Sequence, residues 1–106
     1  MLIRRDVLDR IVTHEIDLAF RRWQRATVKP GGTLTTAVGM LAIDAVDIVD
    51  ESDISVDDAN RAGFASVAAL RKELARRTEG DVYRIHLHQI RGDSHHVILI
   101  DGFRLF

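Results

Sequence analysis

Apolar side chains recur along this chain at two different periods, and the switches between them divide it into elements. Leu2, Ile3, Val7, Leu8 and Ile11 fall at helical spacing, with Arg4, Arg5, Asp6, Asp9 and Arg10 on the other face. That pattern predicts a short amphipathic helix over residues 2–12. Thr13-His14-Glu15 interrupts it, after which Ile16, Leu18 and Phe20 alternate with Asp17, Ala19 and Arg21. A period of two is that of a half-buried strand, predicted from Ile16 to Trp23. The strongest turn signal follows at Val28-Lys29-Pro30-Gly31-Gly32, where the sole proline is followed by two residues that accept positive φ.

From Thr33 to Val49 the chain is rich in Thr, Val and Ile, and the alternation of Leu34, Thr36, Val38 and Met40 changes phase to Leu41, Ile43, Val46 and Ile48. Gly39 sits at the phase change, which predicts one long strand with a bulge or sharp bend there. After an acidic loop over Asp50–Asp53, Ser55 precedes Val56-Asp57-Asp58 as an N-cap precedes a first helical turn, and Gly63 can close that helix. A second helix is predicted after Ser66, burying Val67, Leu70 and Leu74, with Arg71, Lys72, Arg76 and Arg77 toward the end where the helix dipole favours cations. Val82–Ile90 alternates again as a strand, Arg91-Gly92-Asp93-Ser94 reads as a hairpin turn, and His96–Ile100 as a last strand. Helix, strands, helices and strands in that order give an α+β domain, and 106 residues suit a single domain over 1–106.

Composition narrows the function classes. There is no cysteine, which excludes disulfides, thiolate metal sites and a cysteine nucleophile. No signal-peptide pattern or long apolar run is present, so a cytoplasmic protein with no membrane association is expected. The net charge of −1 conceals an asymmetry: residues 1–36 carry +3, residues 37–63 carry −6 and the remainder +2. Such polarity predicts a basic region distinct from an acidic one.

The run Ala62-Gly63-Phe64-Ala65-Ser66-Val67-Ala68-Ala69-Leu70-Arg71-Lys72-Glu73-Leu74, followed by Val82-Tyr83-Arg84-Ile85-His86-Leu87, resembles the ASCH family's Gly-Phe, helix-capping Ser, Leu-rich helix and following strand. Leu18-Ala19-Phe20-Arg21-Arg22-Trp23, the Lys29-Pro30-Gly31 turn and the long strand to Ile48 match its order of elements, so the likeness covers residues 3–90. The resemblance implies a small PUA-like β-barrel with an N-terminal helix, two helices inserted between strands, and RNA as partner. The family's GxKxxExR hallmark is altered: with Thr13 as its anchor, Glu15 stands at the lysine. Members resembling amidohydrolases for acetylated cytidine use a Lys, a Thr and a Glu, and the last position here falls at Ala62 or Gly63, neither of which moves a proton.

Arg21, Trp23, Arg25 and Lys29 are the leading site candidates, with Arg84 on the adjoining strand. Guanidinium groups pair with phosphates and an indole stacks on an unpaired base, the two requirements of single-strand recognition. His14, Glu15 and Asp17 are the alternative, catalytic candidates, for a small hydrolase acting on a modified nucleoside or RNA. The acidic stretch Asp44–Asp58 leaves a third reading open, a protein-interaction domain with a basic partner. His86 and His88, with His95-His96 across the predicted turn, could approach zinc-ligand spacing, but no acid pattern completes a site; neither metal nor cofactor is expected.

The altered hallmark carries an expected outcome. Purified protein leaves N4-acetylcytidine intact in a chromatographic assay; turnover that disappears in His14→Ala or Glu15→Ala would show a rebuilt site.

Overall fold

A computed structural model of the chain describes residues 1–91. The expected turn at Arg91–Ser94, the strand His96–Ile100 and the pair His95-His96 lie outside the described residues. Helix α1 (Arg5–Val12) leads to strand β1 (Leu18–Trp23), then β2 (Thr33–Thr36), β3 (Gly39–Val49), a single 3-10 turn, helices α2 (Val56–Arg61) and α3 (Val67–Leu74), and β4 (Asp81–Arg91). The strands form one antiparallel sheet in the order β1-β4-β3-β2, curled into a half-barrel. The α+β class therefore stands.

The helices form where their caps place them. Ser55 accepts from the Asp58 backbone N–H at 3.0 Å and Asp58 reaches back to the Ser55 N–H, a complete capping box. Ser66 caps α3 through Ala69. Helix α1 starts three residues later than its apolar pattern predicts. The Leu2 carbonyl, which a longer helix would use internally, accepts from the Arg21 guanidinium at 3.0 Å, and the Leu2 side chain is 93% exposed. At the other end Glu15 and Ile16 both donate to the Arg10 carbonyl, and His14 takes a left-handed φ of 68° to make that closure possible.

The long bent strand expected over 33–49 is two strands. Thr36 pairs with Gly39 across the two-residue loop Ala37-Val38, so the chain reverses rather than bends. The Thr36 hydroxyl donates to the Gly39 carbonyl at 2.7 Å and accepts from the Val38 N–H, while Gly39 adopts a φ of 108°. Neither Ala37 nor Val38 has positive φ, so the reversal is completed by a left-handed residue directly after them, which glycine supplies without a Cβ clash. Farther along β3, Asp44 is an extra residue between Ile43 and Ala45, which pair with Leu87 and His86. That bulge adds twist to the curled sheet.

Both faces of the sheet are covered. On one, Leu8 and Ile11 of α1 meet Val38, Leu41, Ile43, Ile85 and Leu87, with Trp23 and Tyr83 at the margin. On the other, Leu18, Phe20 and Val82 meet Ile54, Ala59, Ala62, Leu70 and Leu74 of the α2–α3 layer. The link between β1 and β2 crosses from one edge of the sheet to the other; the Gly31 N–H donates to the Ile43 carbonyl at 2.8 Å, and Ile43 returns a bond to the Gly32 carbonyl at 2.9 Å. The Lys29–Gly32 turn is thus pinned to β3 and Val28 is packed on the α1-side core.

Replacing Gly39 with alanine places a Cβ on a residue with positive φ, and a loss of about 1 kcal/mol or more is expected in urea unfolding. An unchanged midpoint would show that the hairpin tolerates an ordinary φ at this position.

A candidate nucleic-acid interface at the end of β1

Antiparallel pairing places Trp23 opposite Asp81, so the chain leaving β1 runs beside the chain entering β4. The residues just after Trp23 and those just after α3 meet there. They border an open groove of about 600 Å³ lined by Arg22, Trp23, Gln24, Arg25 and Thr27 on one side and Arg76, Arg77, Thr78 and Glu79 on the other. Gly80 sets the approach of the two walls. Its φ is 100°, and a Cβ would collide with the carbonyl group of Trp23.

The two kinds of group that single-strand recognition requires are both present. Trp23 is half-buried, its ring 5.6 Å from that of Tyr83 at a tilt of 42°. The indole packs against Tyr83 and the α1-side core, and the residue borders the groove. Arg22 is held: its guanidinium donates to the Leu74 and Gly80 carbonyls and pairs with Glu51. Arg76 pairs with Glu73 at 3.2 Å. Arg25 and Arg77 are exposed and form no ion pair among the described residues, which leaves their five-donor forks open to a phosphate.

Of the residues singled out from the sequence, Trp23 and Arg25 line this groove and the others do not. Arg21 points to the opposite side of β1 from Arg22, donating to the Leu2 and Phe20 carbonyls; burial pulls its guanidinium below the ordinary range, an effect that Glu73 opposes. Lys29 is exposed in the turn pinned to β3. Arg84 lies in the middle of the sheet, 3.6 Å from Asp47 and 3.7 Å from Asp58, with its Nε buried and unpartnered among the described residues. Arg76 and Arg77 take the places of Arg21 and Lys29. In the sequence these two arginines belong to a helix end, and their proximity to Trp23 comes only from the β1–β4 pairing. The signal that could have found them is the Glu79-Gly80 turn just before the strand that pairs with β1.

Two of the three catalytic candidates, Asp17 and Glu15, are drawn into the scaffold. Asp17 accepts two bonds from the Arg61 guanidinium, at 2.8 and 3.0 Å, and this hydrogen bonding raises the Arg61 pKa further. Glu15 accepts from the Thr13 hydroxyl and lies 3.8 Å from Arg10. His14 is exposed, on the left-handed turn after α1. The acidic stretch is similarly engaged: Asp44 contacts His88 at 2.7 Å, Asp47 lies 3.8 Å from His86, Glu51 holds Arg22 and Asp57 faces Arg61. Among the described residues no three metal-ligating side chains converge, and no helix is long and apolar enough to cross a membrane.

Comparison of the chain with protein-family models, with curated proteins and with solved structures finds no match. The geometry of the groove therefore carries the functional argument.

Gly80→Ala is expected to push the two walls apart. A loss of more than about 1 kcal/mol in stability should accompany a shift in the emission of Trp23, the sole tryptophan. Unaltered emission with unaltered stability would mean that the close approach does not fix the groove.

Proposed function

We propose that this chain is an RNA-binding module of the ASCH and PUA-like type, taking single-stranded or modified RNA in the groove at the end of β1. One observation carries the reading: Trp23 lines the same open groove as Arg22, Arg25, Arg76 and Arg77. Stacking on an aromatic ring tolerates any base, and arginines along a groove follow the backbone. A local excess of cations suffices for this, so a chain with net charge −1 can still attract a polyanion.

The turn after α1 offers a second register for the hallmark of the resemblance, one residue later than Thr13. A motif glycine belongs where the backbone has positive φ, and that residue is His14 rather than Thr13. Anchored there, GxKxxExR puts its lysine at Ile16, its glutamate at Ala19 and its arginine at Arg21. Ile16 is buried and Ala19 packs against the core, so neither position carries a proton-transfer group. Asp17 is paired with Arg61 and Glu15 accepts from Thr13, so among the described residues no acid, base and nucleophile are assembled around them. Binding is the function these residues support.

Anisotropy of an end-labelled single-stranded RNA, measured over a range of salt, tests the proposal. Arg25→Ala and Arg77→Ala should each flatten the logarithmic salt dependence by about 0.7, the single-strand value for one phosphate contact. Trp23→Ala should weaken binding by about 1 to 3 kcal/mol with little change in slope, because stacking releases no counterions. Lys29→Ala, outside the groove, should alter neither. Absence of binding at low salt, or binding untouched by all of these changes in folded protein, would refute it.

A further inference from the structure

We infer that the groove selects guanine among the bases, the Glu79 carboxylate accepting from the N1–H and 2-amino groups of its Watson–Crick edge. The inference rests on the RNA-binding reading and extends it to specificity. Glu79 is the one lining group that phosphate contact disfavours, since its charge repels the backbone that the arginines attract. It nonetheless borders the groove beside Trp23 and four arginines, and among the described residues it forms no ion pair with any of them. Its Oε1 instead accepts from the side-chain amide of Gln24. The carboxylate is thus bonded to a neutral neighbour rather than to an arginine.

An ionised carboxylate only accepts hydrogen bonds and offers about four lone-pair sites, of which Gln24 fills one. What suits the remainder is a pair of adjacent N–H donors. Uracil presents a single imino N–H on its Watson–Crick edge, while adenine and cytosine each present one amino group. Guanine alone presents an imino N–H beside an amino group, at a spacing that matches two carboxylate oxygens. The other parts of such a site are adjacent: Gln24 follows Trp23 directly, and Glu79 precedes Gly80, which lies against the Trp23 carbonyl. One backbone approach therefore brings the residue that carries the indole beside the residue that carries the carboxylate, with Arg25 and Arg77 lining the same groove.

Five end-labelled uridine heptamers carrying U, A, C, G or inosine at the centre distinguish the possibilities by anisotropy at fixed salt. The G-centred strand should bind about tenfold more tightly than the all-uridine one, with inosine, which lacks the 2-amino group, in between. Glu79→Ala, at an exposed position, should abolish the G preference and raise the affinity for the all-uridine strand, because a negative charge leaves the basic groove. Equal binding of all five strands by the wild-type protein would overturn the guanine inference and leave the RNA reading intact. Failure of every strand to bind would overturn both. A G preference that persists in Glu79→Ala would remove Glu79 from the reading of the base.

Discussion

The pairing of β4 with both β1 and β3 is the constraint on which the remainder of this structure depends. Ile85 and Leu87 enter the α1-side core from β4, whereas Val82 enters the α2–α3 side. The same strand sets the positions of its neighbours: Leu18 to Trp23 align with His86 to Asp81, and Leu41 to Val49 with Gln89 to Val82. Side chains alternate between faces, so a slip of one residue would send Leu18 and Phe20 to the wrong core. It would also separate Trp23 from the Arg76–Glu79 segment. Core packing and the candidate groove are therefore specified by one register.

Charge is distributed in keeping with that arrangement. Arginines in or beside the sheet are consumed by the scaffold: Arg22 bridges α3 and the Glu51 turn, Arg61 ties α2 to the start of β1, and Arg84 sits between two aspartates. Several acids of the 44–58 stretch are engaged within the fold: Glu51 pairs with Arg22, Asp47 and Asp58 face Arg84, Asp57 faces Arg61, and Asp58 also completes the capping box of α2. Among the described residues, the groove-lining cations that form no ion pair are Arg25, just after β1, and Arg77, just after α3. Half-exposed ion pairs of this kind each contribute about 1 kcal/mol or less, so their main effect is on orientation. They leave the groove positive although the chain as a whole is slightly acidic.

Several elements were legible in the sequence because their causes are local. Ser55 and Ser66 announced the starts of α2 and α3 through bonds spanning three residues, and alternating apolar positions announced β1 and β4. The reversal at Gly39 was misread as a bend for an equally physical reason. A bulge and a two-residue hairpin both shift the alternation by placing a glycine at the phase change, and the one-dimensional pattern is the same. What separates them is the bonding of Thr36 to Gly39 and Val38, which a pattern of apolar positions does not contain. The late start of α1 has a similar origin, since Arg21 competes for the Leu2 carbonyl from 19 residues away.

The sequence by itself determined the α+β class, the caps of α2 and α3, the alternation along β1 and β4 and the prominence of Trp23 and Arg25, because these follow from backbone propensity, burial period and side-chain chemistry. Tertiary structure decided which cations accompany that tryptophan. Arg21, Lys29 and Arg84 look equivalent to Arg76 and Arg77 along the chain, but strand alternation, the pinned turn and the aspartates of β3 and α2 direct the first three elsewhere. The antiparallel approach of β4 to β1 brings the other two to the groove across more than fifty residues of chain. A nucleic-acid surface depends on charges that are near one another in space, and only the closed register of the sheet converts separation in sequence into that proximity.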